Sequence, residues 1–413
     1  MNMMPSLPGR VKRRHVFFLA GYDPRGARFY YKLYKDEAAK QNRLNGLSVE
    51  VGPRQRGTPL ESYWQVTARD GAATVETTYH FLQWDDLVRA RWSRSLFGVY
   101  GNIWRAFWSL LFNGVYFHSL LTSWPMFVTG IYPVGFMLLH FLIAAAAGGI
   151  AGYGASLVLG PIAGIIVGLV AAASLFTFGK ALEERYNAFW LGRIILFIAD
   201  QGCGRTAEIG PRCNEFADLI MAANKGEYAP DGGECDEILI IGHSVGSHLA
   251  LSTLARCLER DPAIAAKGRA WSLLTLGHMI PTVAIQRWAG DFRADLQTVA
   301  DEGNIVWIDM TSPIDGATMP LTDPLTASRL PQPDPSAPRP KLLNPRFHKL
   351  FTPEGYAQIK RRFRRAHLQY LMASELPGDY DFFAITAGPL TLEERYRWHD
   401  SVANFNRFRW GVS

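Results

Sequence analysis

The stretch DEILIIGHSVGSHLA, residues 236–250, decides how this chain is read. Four consecutive apolar residues, Ile238, Leu239, Ile240 and Ile241, run into Gly242-His243-Ser244-Val245-Gly246, and a helix-compatible run opens at Ser247. An unbroken apolar run of that length fits a strand covered on both faces. A strand that becomes a helix within so few residues crowds the positions two before and two after the apex. Glycine at 242 and 246 removes the side chains that would collide there. The apex residue, Ser244, is then pushed out of the sheet, close to the N-terminus of the next helix.

Outward from this stretch the pattern alternates. HVFFLAGYD (15–23) reads as a buried strand ending in a glycine turn, and residues 62–82 alternate around Asp70-Gly71 as a hairpin. CNEFADLIMAA reads as a helix, and SLLTLGH (272–278) and NIVWIDMT (304–311) read as strands with helical stretches between them. Strand–helix alternation predicts an α/β fold with a mostly parallel sheet flanked by helices. RLPQPDPSAPRPKLLNP (329–345) reads as a proline-rich loop.

The 413 residues are 48% hydrophobic but only 19% charged, and the charge deficit is local. No Asp, Glu, Lys or Arg occurs in residues 106–179. A bilayer accounts for such a run at about 20 apolar residues per spanning helix; a buried core hairpin is the competing account. Candidate spans are 127–147 and 157–178, with Gly148, Gly149, Gly152 and Gly154 forming the turn between them. Gly160, Gly164 and Gly168 give the second span a small-residue face for close helix approach. The aromatic-rich stretch 106–125 suits one helix lying in the membrane interface. WDDLVRARWSR ahead of it reads as a basic amphipathic helix.

The net charge of +6 concentrates in RVKRRH, RARWSR and KRRFRRAH. No zinc-finger, RNP or helix-turn-helix pattern accompanies it, so anionic lipid is the expected partner and nucleic acid is not. The short apolar run 16–20 predicts no signal peptide. Cys203, Cys213, Cys235 and Cys257 lack metal-ligand spacing and are expected as free thiols, with a Cys203–Cys213 disulfide as the alternative.

Gly-x-Ser-x-Gly between an apolar strand and a helix resembles the nucleophile elbow of the α/β-hydrolase superfamily. The resemblance covers roughly residues 12–82 and 190–400, and the plain alternative is a sharp turn in a Rossmann-like sheet. It implies an α/β-hydrolase-type sheet with an inserted transmembrane helical hairpin, and a nucleophile, an acid and a histidine in that chain order. It implies Ser244 as nucleophile and an oxyanion hole built from the amides of Tyr22, after Gly21, and Val245. For the acid it points to Asp315, in the loop after the strand, with Asp309 and then Asp323 as alternatives. For the base it points to His367, in AHLQYLMA, which resembles the His-x-x-Tyr pattern of some lipases. His348 and His399 are the alternatives. His243 is expected to shape the pocket.

The implied division is 1–95 and 180–413 as the two parts of the catalytic domain, 96–125 as the interfacial segment and 126–179 as the hairpin. Segments near 20 and 240 must then share one sheet, which demands an even number of crossings. Arg89, Arg91, Arg94 and Arg105 precede the apolar block, and Lys180, Arg185 and Arg193 follow it. The positive-inside rule therefore predicts an integral protein of a bacterial inner membrane, with its catalytic domain cytoplasmic. The expected activity is a serine esterase or lipase cleaving a lipid-like ester through an acyl-enzyme, with no metal or other cofactor. Acyl transfer by the same residues and a non-catalytic membrane scaffold are the alternatives.

Overall fold

Every residue from Glu237 to His243 is buried, as a strand covered on both faces requires. A computed structural model of the chain describes residues 11–402 except 72, 228–233, 267, 335 and 338, and only the backbone of 179–185. The first ten residues, and the side chains of Lys180 and Arg185 invoked above, lie outside the described residues.

Among the described residues nine strands form one mixed, mostly parallel sheet. They are β1 Arg13–Leu19, β2 Ser48–Val51, β3 Gln55–Arg56, β4 Glu61–Asp70, β5 Ala73–Leu82, β6 Glu237–His243, β7 Ala270–Leu276, β8 Ile305–Met310 and β9 Lys341–Leu343. The order across the sheet is β2-β4-β5-β1-β6-β7-β8-β9, with β3 paired to β4. The antiparallel part is confined to β2, β3 and the β4–β5 hairpin, which closes where Asp70-Gly71 predicts it. β1 lies beside β6 in parallel register, Val16 opposite Leu239 and Phe18 opposite Ile241. Segments 15–23 and 236–243 therefore do share one sheet.

Alternation along these strands feeds two cores. Phe17, Leu19, Ile238, Ile240 and Leu273 point to one face, and Val16, Phe18, Leu239, Ile241 and Leu274 to the other. Each of these side chains contributes about 1.5–3 kcal/mol through burial. The helices leading to the site are α1 Gly26–Asn45, α2 Asp85–Arg91, α3 Leu96–Phe112, α4 Val115–Thr122, α5 Trp124–Leu159, α6 Pro161–Tyr186, α7 Ala188–Gly202, α8 Ile209–Asn224 and α9 Gly246–Arg260. Helices α7, α8 and α9 cover the first face, while α1 and the C-terminal helices cover the second. All four cysteines are free.

The apolar block departs from its sequence reading in two ways. Residues 106–125 are not one helix: α3 ends at Phe112, Asn113-Gly114 break the path, and α4 follows. The turn between the long helices is not at 148–154 either. Helix α5 runs through those glycines, and the chain reverses at Gly160, whose φ of 86° followed by Pro161 ends one helix and starts the next. Gly148 and Gly152 instead face Gly168 and Gly164. A Cβ on Gly152 would lie 2.9 Å from the Gly164 carbonyl oxygen, and one on Gly168 would lie 2.8 Å from that of Gly148. The glycine cluster is thus the α5–α6 contact, a close backbone approach that only small residues permit.

Trp124–Leu159 and Pro161–Phe178 are both long and apolar enough to cross a membrane, with hydropathies of 2.0 and 2.1. Only 28% and 11% of their most apolar windows are buried, unlike a core helix. Arg91 of α2 and Arg105 of α3 form ion pairs with Asp200 of α7, which joins the segment before the pair to the helix after it.

Gly152→Leu should force α5 and α6 apart and destabilise the protein by about 1–3 kcal/mol, the usual cost of overpacking. Gly154→Leu should be neutral, since nothing lies within 4 Å of a Cβ there. Thermal unfolding of the two purified variants checks this.

Candidate functional site

Ser244 and Val245 are the only residues between the end of β6 and the start of α9. A reversal that short forces Ser244 to φ 56°, a left-handed conformation that costs a non-glycine residue about 1–2 kcal/mol. The turn is held from both sides. The Ser244 N–H donates to the Leu276 carbonyl at 2.8 Å, and the Ser247 hydroxyl donates to the Gly242 carbonyl at 2.9 Å. A Cβ on Gly242 would overlap the backbone of Ser247, and one on Gly246 would overlap the carbonyls of Leu19 and Ala20. Both glycines are therefore there for backbone contact, as the sequence suggests.

The end of β1 arrives at the same point. A Cβ on Gly21 would lie 3.0 Å from Ser244 Cβ and 3.4 Å from its Oγ. Gly21 thus leaves open the approach to the hydroxyl. Tyr22 follows, its ring packed against Trp84, Trp92 and Phe197, which fixes the backbone beside the serine. Burial pushes the Tyr22 phenol up to about 12, so the ring stays neutral. Among the described residues, neither the Tyr22 nor the Val245 backbone N–H has a backbone acceptor.

His367 Nδ1 lies 2.9 Å from Asp315 Oδ2 and 3.1 Å from Oδ1. A carboxylate oxygen only accepts, so Nδ1 donates its proton to Asp315 and the ring is oriented by that bond. Asp315 sits in the loop after β8 with its side chain wholly buried, and its Oδ1 also accepts the Ala317 N–H at 3.1 Å. His367 is the penultimate residue of the helix Phe363–Leu368. Ser244, Gly21, Tyr22 and His367 line one cavity of about 510 Å³. Its wall is aromatic and apolar, including Phe29, Trp92, Trp190 and Leu368, with Arg25, Arg364 and Arg365 among the lining residues.

The other sequence candidates lie elsewhere. Asp309 is in β8 and accepts from the Thr275 hydroxyl at 2.7 Å, with His278 Nε2 at 3.4 Å. It belongs to a separate buried His–Asp pair. Asp323 caps the short helix Pro324–Ala327. His348 is exposed beside Tyr356, and His399 packs on Tyr396. None of these four lines the Ser244 cavity.

One residue of the site, Tyr370, has no role in the sequence reading, and His243 lines the pocket that it is expected to shape. Tyr370 accepts the Ser312 N–H at 2.9 Å and so braces the Asp315 loop. Its signal was the His-x-x-Tyr spacing. His243 donates through Nε2 to the His367 carbonyl at 2.9 Å, linking the strand before the serine to the helix of the histidine. Burial, with His367 nearby, lowers the His243 pKa to about 3, so its ring is a neutral strut. Among the described residues no group of three or more His, Cys, Asp or Glu could hold a metal ion.

Comparison with family models, curated proteins and solved structures finds no match to this chain.

Ser244→Gly should be more stable than Ser244→Ala by about 0.5–1 kcal/mol, because both lose Oγ but only glycine is relaxed at this φ. Differential scanning of the two variants measures it. A second expectation follows from His243. Its folded pKa lies below its ordinary value, so the unfolded chain binds the extra proton and stability falls as pH drops from 6.5 toward 3. His15 and His248, also lowered to about 3 by burial, act in the same direction. The unfolding midpoint should decline across that window, and less steeply in His243→Gln.

Proposed function

We propose that this chain is a membrane-anchored serine hydrolase of α/β-hydrolase type that cleaves an ester of a lipid-like molecule. The observation that carries the reading is one cavity lined by a serine on a strained strand–helix turn and by a histidine hydrogen-bonded to a buried carboxylate. A free serine hydroxyl is a poor nucleophile, and this arrangement is what activates one.

In the proposed reaction Ser244 Oγ attacks the ester carbonyl as His367 Nε2 takes its proton. Asp315 holds the tautomer and stabilises the imidazolium. The carbonyl oxygen becomes an oxyanion that accepts hydrogen bonds from the amides of Tyr22 and Val245. Two such donors, each worth about 2.7–4 kcal/mol in comparable sites, act where charge develops. The intermediate collapses, and the departing alkoxide takes the proton from His367. Water then gives a proton to His367 and attacks the acyl carbon, and Ser244 leaves with that proton.

Support for a lipid-like substrate comes from the aromatic lining and from the two long, poorly buried apolar helices beside the site. A hairpin crossing twice keeps both ends, and hence the catalytic sheet, on one side. The flanking arginines favour the cytoplasmic side.

Ser244→Ala and His367→Ala should each reduce hydrolysis of a soluble p-nitrophenyl ester by roughly 10⁴–10⁶-fold, since triad members act as a unit. His348→Ala should leave it unchanged. A fluorophosphonate probe should label wild type and not Ser244→Ala. Labelling of folded Ser244→Ala, or activity within about tenfold of wild type, would overturn the assignment and favour a non-catalytic scaffold.

A further inference from the structure

A second cavity, of about 650 Å³, lies at the foot of the α5–α6 pair. One wall is the start of α5, with Val128, Thr129 and Tyr132, and another is the α6–α7 junction at Tyr186 and Asn187. The third is the arginine segment 361–365, which arrives from the far end of the sequence. Arg361 and Arg362 are exposed, and among the described residues neither forms an ion pair with a carboxylate. The cations nearer the hairpin in sequence are different. Arg91 and Arg105 are paired with Asp200, and Arg193 donates to the Ser93 carbonyl. Arg361 and Arg362 thus stay available to an outside partner, as does Arg94 ahead of the hairpin.

The depth fits a lipid head group. From the Gly160 turn back to Tyr132, α5 measures about 40 Å at 1.5 Å per residue. A hydrocarbon core of about 30 Å with its interfaces spans about 40–45 Å. With the Gly160 turn at the far surface, Tyr132 and Tyr186 sit at the near head-group level, where tyrosines anchor. The Tyr132 hydroxyl donates to the Tyr186 carbonyl at 2.8 Å, pinning the two helices together at that level. Val128 and Leu191 line the same cavity on the side away from the Gly160 turn, so the arginines face a partly apolar wall.

We propose that this cavity binds the phosphate of one anionic phospholipid through Arg361 and Arg362, its acyl chains running toward the bilayer beside Tyr132. The proposal rests on the membrane reading of the hairpin and extends it. Arg364 and Arg365 line both this cavity and the one that holds Ser244. The bound lipid therefore seats the segment that continues into His367, next to the pocket that takes the ester.

The test is lipid binding to the purified full-length protein, delipidated in neutral detergent and read by native mass spectrometry. Phosphatidylglycerol should be retained as a single adduct at concentrations where phosphatidylcholine with the same chains is not. Arg361→Gln/Arg362→Gln should weaken phosphatidylglycerol binding by at least about tenfold, at about 1 kcal/mol per arginine. Arg361→Lys/Arg362→Lys should keep most of it and controls for folding. Excess inorganic phosphate should not displace the lipid. Equal retention of the two lipids, an unchanged preference in the glutamine variant, or displacement by phosphate would each overturn the proposal. Ser244→Ala protein should bind as wild type does, so this result stands apart from the outcome for catalysis.

Discussion

The close approach of two backbones decides most of this structure. The turn after β6 passes so near the end of β1 that Gly246 lies against the carbonyls of Leu19 and Ala20, and Gly21 lies against Ser244. No side chain larger than hydrogen fits at Gly246. That contact locks the register of the two central strands and sets the strained φ of Ser244. It also brings the Tyr22 backbone alongside the serine. The Trp84 indole adds a bond to the Ala20 carbonyl at 2.9 Å, so the loop carrying Tyr22 is fixed from the hairpin side as well. Strain at Ser244 persists because these contacts over-determine the turn.

The central sheet was legible because its signal is local. Ile238 to Ile241 carry an unbroken apolar run, and glycines at 242 and 246 fix the length of the turn. Asp315 and His367 were legible only as candidates, because many loops hold an Asp and a His. Their pairing depends on β8 ending where it does and on Tyr370 bracing the loop. The hairpin turn was misread for a physical reason. Glycine both breaks helices and permits their close packing, and sequence does not say which use applies. At 148 and 152 the glycines pack; at 160, with a proline next, the glycine breaks. Strand β9 was missed because its three residues sit inside a proline-rich stretch that reads as loop.

The hairpin is not a passive tether in this arrangement. The Thr129 hydroxyl of α5 donates to the carbonyl of Gly316, the residue after Asp315. Phe363, at the head of the helix that ends near His367, packs on Gly316, where a Cβ would meet its ring at 2.9 Å. Trp190 of α7 touches both Phe363 and His367 edge-on, with centroids 6.2 and 6.0 Å apart. The acid loop and the histidine helix therefore rest on the first turns of the long apolar helix and on the helix that follows the pair.

This gives a reason for the helix pair to stand between β5 and β6. In the proposed membrane reading, a pair joined elsewhere in the sheet would anchor the domain equally well. Joined here, its foot becomes the floor on which Gly316 and Phe363 meet, and the spacing between Asp315 and His367 depends on that floor. In the proposed membrane setting, the head-group level coincides with the arginine segment, so the residues that sense lipid and the residue that moves protons belong to one short stretch, 361–367. Two arginines, Arg361 and Arg362, precede the histidine helix and two more, Arg364 and Arg365, lie within it, directly after a helix that ends in Lys360. In the proposed reading the ester arrives from the bilayer, and the charge that holds the lipid surface then also positions the base.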